Sequence, residues 1–463
     1  MTRFRVLFTI VVAGLGLATR AAAQESGPTS CTSEQERQNS FKLPSGQYNN
    51  FIGGGIVVRC PAKQIVLKAD SAEIYGDEKR IYLVGHVNYN EPRFALTSDF
   101  LTYFVNDERV VATGNVLGRL PTGSTLRGPQ AEYRRLVPRI RPRAQLLATG
   151  RPTVTIVQRD STGKEQPPIT VLANTVFMDG DSLLYGGGKV EIQRPEVRAT
   201  GDSAFINTGV ETMRLMRNPV VTGTRGRPFQ LVGDLIDLYS RQRKLQRVIS
   251  RARAVATSED MTLRSDTIDL RLADDQLERA FAWGASRAHV ISPAQNLVAD
   301  SLDVLMPGQR IREVHALRNA FAEGRPDSVK FHADTTDWLR GDTVLAYFDS
   351  STTSRHDTTA AADTSHSPQI RRLVANGNAS AFYHLAPSDT SLHRPAINYV
   401  KGTRITIDFT ERRVATVTVV GQVVGLYTEP TADTTKKASK TPAGTPKPRT
   451  TPQSRPRSGI KRP

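Results

Sequence analysis

Cysteine is almost absent: Cys31 and Cys60 are the only two in 463 residues. That excludes a disulfide-stapled mini-fold, and it argues against zinc, which wants four ligands where no paired histidine lies near either thiol. The eight histidines show no metal-ligand spacing. Aromatic residues make up 6% and interleave too sparsely with basic residues to form a base-stacking platform. Apart from Val6 to Ala18, no stretch is long and apolar enough to be considered as a membrane helix. No Gly-rich phosphate loop, Ser nucleophile elbow or His-Glu helix motif occurs. What is present is 38% hydrophobic residues, 34 glycines, 27 prolines and abundant Val and Thr, a composition that can bury a core and reads as β-rich.

The formal charge of +17 would raise nucleic acid as a partner, but its excess is largely terminal. Arg3, Arg5 and Arg20 contribute +3, and residues 429–463 hold nine basic against two acidic side chains; subtracting these +3 and +7 leaves +7 for the body. The interior of the chain mixes both signs, so no nucleic-acid partner is expected. Arg3 and Arg5 precede the thirteen apolar residues Val6 to Ala18, followed by Ala21-Ala22-Ala23 and Gln24. That is the three-part layout of a secretory signal peptide over 1–23, cleaved after Ala23; an uncleaved anchor would need roughly 20 apolar residues. Export places both cysteines in an oxidising compartment, and a Cys31–Cys60 disulfide is the natural reading, tying an N-terminal segment 24–64, with its Gly53-Gly54-Gly55, to the first strand of the body.

The body repeats itself. Leu67-Lys68-Ala69-Asp70-Ser71-Ala72 leads through Tyr75 to Gly85-His86-Val87; Leu96-Thr97-Ser98-Asp99 leads through Tyr103 to Ala112-Thr113-Gly114-Asn115-Val116; and Gly128 leads to Tyr133. Weaker copies come after these, with aspartates at 202, 234, 266, 300 and 342, giving about ten units over 65–428. Each unit is two alternating runs joined by a turn rich in Asp, Asn and Gly, such as Gly76-Asp77-Glu78-Lys79, hence a β-hairpin. One hairpin cannot bury its apolar face, so the units must stack on one continuous interior. The predicted fold is all-β, an elongated jellyroll or solenoid-like roll of repeated hairpins. The low-complexity stretch 349–368 interrupts the ninth unit, and 429–463 reads as a disordered basic tail rich in Pro, Thr and Lys.

Those repeats carry a resemblance. Ala69-Asp70-Ser71-Ala72, Gly85-His86-Val87, Ser98-Asp99, Ala112-Thr113-Gly114-Asn115-Val116 and Gly128 before Tyr133 make the region 66–134 similar to the OstA-like, or LptA-type, domain of lipopolysaccharide transport. The likeness is at the level of the repeat alone from 170 to 427. It implies a β-jellyroll whose apolar groove carries lipid acyl chains, working in the periplasm, free or associated with the outer membrane. It implies as partners lipopolysaccharide or another acyl lipid, and other envelope transport proteins joined by edge-strand pairing. The chain is longer than the family's free bridge component and has no stretch resembling the barrel of the outer-membrane translocon protein.

Strand phase nominates Ile81, Leu83 and Val87, then Leu96, Phe100 and Phe104, then Val110, Ala112 and Val116 as lining such a groove. Arg134, Arg135, Arg139, Arg141 and Arg143, five guanidiniums with no acid among them, are the candidates for a phosphorylated head group, against the alternative of a solvated loop. The recurrent aspartate invites an enzymatic reading as a polysaccharide-active protein with paired carboxylates. A residue that marks every repeat is better explained by a hydrogen bond turning the chain at each hairpin. No catalytic residue, cofactor or metal is therefore expected. The small residues Ala112, Ala252, Ala254 and Ala256 would leave room for acyl chains or equally suit a thin roll, and a structural envelope scaffold with a closed core stands as the alternative function.

Overall fold

The structure, a computed structural model, describes residues 31–430 apart from 161, 259–260, 293–294, 327–332, 350–368, 388–393 and 411–412. The expected signal peptide, the basic tail beyond Pro430 and nearly all of the low-complexity stretch lie outside the described residues. Within them the chain is all-β: 27 strands form one sheet in which every pairing is antiparallel. The first strands, Thr32–Lys42, Tyr48–Cys60, Ile65–Tyr75, Arg80–Glu91, Phe94–Phe104 and Arg109–Arg119, pair strictly with their neighbours in sequence. Between 125 and 258 most strands are split into shorter pieces that also pair with non-consecutive neighbours, as Thr125–Arg134 does with Thr153–Arg159 and Gln145–Thr149 with Thr175–Asp179. The sequential meander then resumes up to Ala396–Thr410, which closes the series with Arg413–Val420 and Val424–Thr428. Residues 31–64 belong to the roll itself. Their two strands are the first hairpin of the roll, clamped by the Cys31–Cys60 disulfide.

The long strands are bent in the middle, and most of the bends share one cause. Most alternate strands carry two consecutive left-handed residues, as at Gly85-His86 (φ 77°, 43°), Gly114-Asn115 (77°, 45°), Gly188-Lys189 (71°, 47°) and Gly377-Asn378 (72°, 46°). A neighbouring strand passes the corner glycine with an aspartate at Gly85, Gly114 and Gly377, and with Asn174 at Gly188, and it is one residue shorter there, so the ladder bulges. A Cβ at Gly85 or Gly114 would fall inside the van der Waals radius of the Asp70 or Asp99 carboxylate, so glycine serves both the positive φ and the close approach. The aspartate then holds the second residue of the corner: Asp99 Oδ2 accepts from Asn115 Nδ2 at 2.8 Å, Asp70 lies 2.8 Å from His86 Nδ1, and Asp266 Oδ2 accepts the Ser286 backbone N–H at 2.7 Å. The recurrent aspartate thus works at the corner within the strand, not at the hairpin turn. Gly186-Gly187-Gly188 likewise runs through the strand Leu183–Gln193 into such a corner.

The corners fold the sheet over, so the two limbs of every strand face each other across one apolar core. Tyr133 of one limb meets Phe94 of the other with ring centroids 4.4 Å apart, and Tyr89 at 6.3 Å.

Candidate functional site

The corner decides which side chains reach the interior. On a strand with the left-handed pair, two residues are spent in the bend and the alternation resumes in phase: Leu83, Val87 and Tyr89 all point in, as do Val110, Ala112 and Val116. On an aspartate strand one residue is spent and the phase inverts. Phe94 and Leu96 point in before Asp99, whereas after it Leu101 and Tyr103 do. Phe100, read as inward from unbroken alternation, is 41% exposed on the outer face and lies parallel to Tyr82. Phe104 shares that outer face, with the Arg109 guanidinium 3.9 Å above its ring. Ile81 is half-buried against the core. The same inversion occurs at Asp70, between inward Ala69 and Ala72, and at Asp300, between inward Ala299 and Leu302. Of the small residues, Ala112 and Ala254 are buried and Ala256 packs against the core, while Ala252 is exposed at a corner with φ 59°.

This interior is closed. Leu83, Ala112, Ala148, Ala282, Ala316 and Ala375 are 0% exposed, which means that no water-sized space touches them. Towards the C-terminal units alanine takes many of the inward positions, and its 0% exposure at Ala282, Ala316 and Ala375 shows that neighbouring atoms cover it there.

The head-group candidates are mostly spoken for. Arg135, 15% exposed, crosses from one limb to the other: its Nε donates to Glu91, its Nη1 to Glu108 at 2.8 Å and its Nη2 to the Lys63 carbonyl at 3.1 Å. Arg134 pairs with Glu132 at 2.6 Å, Arg141 donates to the Arg135 carbonyl at 2.6 Å, and Arg143 reaches Asp179 at 3.3 Å. Arg139 is exposed with a left-handed backbone. The five do not converge on one outward site.

What Arg135 builds is a seam along the side of the roll opposite the corners. Lys63 also donates to Glu108, and Tyr103 Oη donates to it at 2.8 Å. Burial pushes the Glu108 carboxyl up, but the donors Lys63, Arg135 and Tyr103 outweigh that and hold it below the usual carboxylate range. Burial also pushes the phenols of Tyr89, Tyr103 and Tyr133 far up, keeping them neutral donors to these glutamates. Further along, Arg194 pairs with Glu196 and donates across the seam to Ser240 Oγ at 3.0 Å and the Arg243 carbonyl at 2.9 Å, and Arg225 pairs with Asp275 at 2.9 Å. Sequence reasoning missed the seam, because Glu91 and Arg135 are 44 residues apart.

It also missed a charged ladder on the outer face. Asp237, Asp269 and Asp303 each follow a corner aspartate by three residues, a spacing visible in the sequence once sought. Arg214 and Arg251 both donate to Asp237, Arg247 grips Asp269 through two bonds of 2.8 Å, and Arg279 grips Asp303.

The two ends of the roll differ. Ser33, Gln35 and Gln38 of the first strand stand opposite the buried Val58, Ile56 and Ile52, so the N-terminal end of the core is covered by polar side chains, joined to Ser40 and Asn50 by hydrogen bonds of 2.5–2.9 Å. At the other end Val417 and Val419 stand opposite Ile407 and Ile405, and Tyr427, opposite Asn398, is 51% exposed. Among the described residues no strand lies beyond these, and no three His, Cys, Asp or Glu side chains come together to hold a metal ion. No family model matches the chain, and no curated protein matches it.

Proposed function

We propose that the protein is a periplasmic, non-enzymatic carrier of lipopolysaccharide or a similar acyl lipid in outer-membrane biogenesis, exported by a cleaved signal peptide. One observation carries the reading: among the described residues, an apolar interior that runs the length of the roll is covered by polar side chains at one end and left apolar at the other. Acyl chains would enter at Val417, Val419 and Tyr427, where each CH₂ removed from water contributes about 0.8 kcal/mol. Because the interior is closed, uptake requires the limbs to part, and they part most readily at the seam, whose contacts are ion pairs between turns and not interleaved core. The free edges of Thr32–Lys42 at one end and of the last strands at the other are where neighbouring envelope proteins would add a strand.

The test is organic-solvent extraction of protein purified from a Gram-negative host, with mass spectrometry for acyl lipid. Stoichiometric acyl chains are the expected result. A lipid-free extract, together with no uptake of a fluorescent lipid A analogue, would sink the proposal. That second outcome would favour a closed envelope scaffold, a reading supported by the 0% exposure of Leu83, Ala112 and Ala375.

A further inference from the structure

Near the C-terminal end the outer face carries a recess of about 510 Å³ lined by Arg287, Asp300, Asn319, Phe321, Trp338 and Arg340. Its volume lies in the range of roughly 300–1,000 Å³ typical of small-molecule sites. Corner and strand build it together. The left-handed pair Arg318-Asn319 turns the strand Glu313–Gly324, so that Asn319 Nδ2 donates to Asp300 at 3.2 Å while Arg287 donates to the Asn319 carbonyl and lies 3.7 Å from Asp300. That fixes a polar floor of one carboxylate, one amide and one guanidinium. Beside it Phe321 and Trp338 form an aromatic wall with centroids 6.2 Å apart, and Trp338 is backed by Phe382 at 6.1 Å and Tyr399 at 6.1 Å on the next two strands. Arg340, directly across the ladder from Phe321, is exposed and makes no ion pair among the described residues.

We propose that this recess binds a saccharide bearing a carboxylate. The C–H face of a pyranose packs on the negative face of an aromatic ring. The planar Asp300 and Asn319 groups match vicinal hydroxyls with paired donors and acceptors. Arg340 supplies a fork with no carboxylate of its own, suited to the sugar's charge. A membrane surface would need neither the recess nor the Asp300 acceptor. The site stands on the outer face and does not depend on any lipid in the interior.

Trp283 and Trp338 are the only tryptophans, so Trp283→Phe leaves Trp338 as the sole reporter in the full chain. Titration of that variant with tetragalacturonate should give a saturable change in Trp338 fluorescence. Maltotetraose should bind at least tenfold more weakly, and inorganic phosphate should give no change. Adding Arg340→Gln, an exposed substitution whose fold circular dichroism checks, should weaken tetragalacturonate about tenfold, the equivalent of one charge-assisted hydrogen bond. The proposal is overturned by no saturable change up to about 10 mM, where binding would be weaker than about 3 kcal/mol, by an equal response to maltotetraose or phosphate, or by an Arg340→Gln titration that matches the parent. A response to anionic phosphatidylglycerol vesicles with none to the oligosaccharide overturns it too, in favour of a membrane surface.

Discussion

The two ends of the roll solve the same problem in opposite ways. Both must finish a sheet whose last apolar side chains have no further strand to pack on. At the N-terminal end the finishing strand Thr32–Lys42 turns Ser33, Gln35 and Gln38 towards Ile52, Ile56 and Val58, and the Cys31–Cys60 disulfide fastens it down. At the C-terminal end Arg413–Val420 and Val424–Thr428 turn Val417, Val419 and Tyr427 towards the core, the two valines partly exposed and Tyr427 51% exposed. Terminal units of stacked repeats ordinarily need a polar cap for solubility. The end that shows none among the described residues is therefore the end where an apolar partner or ligand is to be sought.

The largest expected effect breaks this comparison directly. Ile56→Asp buries an unpaired charge beneath the cap and should cost several kcal/mol, enough to abolish the cooperative melt. Val419→Asp at the open end leaves its carboxylate near water and should cost about 1 kcal/mol. Equal losses in urea midpoint for the two would mean that both ends are covered alike.

Arg135→Ala comes next. It strands Glu91 inside the seam while Glu108 keeps Lys63 and Tyr103, and removal of one member of a buried ion pair costs about 3–5 kcal/mol. A double-mutant cycle with Glu91→Gln should recover part of the loss. If it recovers none, Arg135 acts by packing and not as a clamp across the limbs. Reduction of the disulfide, or Cys31→Ser with Cys60→Ser, should lower stability by about 2–4 kcal/mol through the freed chain. Hydrogen exchange should then rise first in Thr32–Lys42 and leave the C-terminal strands unchanged, and a uniform rise along the roll would contradict an independent N-terminal cap.

The seam also sets a pH dependence. The Glu108 carboxyl is held below its unfolded value, so its contribution is present above about pH 4.3 and is lost as the pH falls through the folded value. Urea midpoints should drop more steeply below pH 4.3 in the native chain than in Glu108→Gln, and parallel curves would remove Glu108 from the lock. The smallest effect is expected outside: Phe100→Lys on the outer face should stay within about 0.5 kcal/mol, whereas Leu101→Lys one residue on should unfold the unit. Reversal of that order would put the phase inversion elsewhere than Asp99.

Much of this was legible in one sequence. The hairpin turns at Gly76–Lys79 and Val105–Glu108 fall where the Asp- and Asn-rich breaks put them, and the run of units with one interior follows from faces that no single hairpin buries. The inward set read correctly on strands with a left-handed pair, Leu83, Val87, Val110, Ala112 and Val116, because two bend residues preserve a period of two. It failed at Phe100 and Phe104, on an aspartate strand, because one bend residue does not. The arginine cluster misled for a related reason: charge density along the chain does not reveal that Arg135 faces Glu91 and Glu108 from other units.

The sequence by itself determined the β class, the repeat and the rhythm of aspartate against glycine, since each of these is a property of a few adjacent residues. Only the tertiary structure decided the rest, namely which limb meets which, how the seam closes, and which end of the core carries a polar cover among the described residues. Those depend on the partner strand opposite each residue, and whether a bend consumes one residue or two is settled only when that partner's left-handed corner is in place.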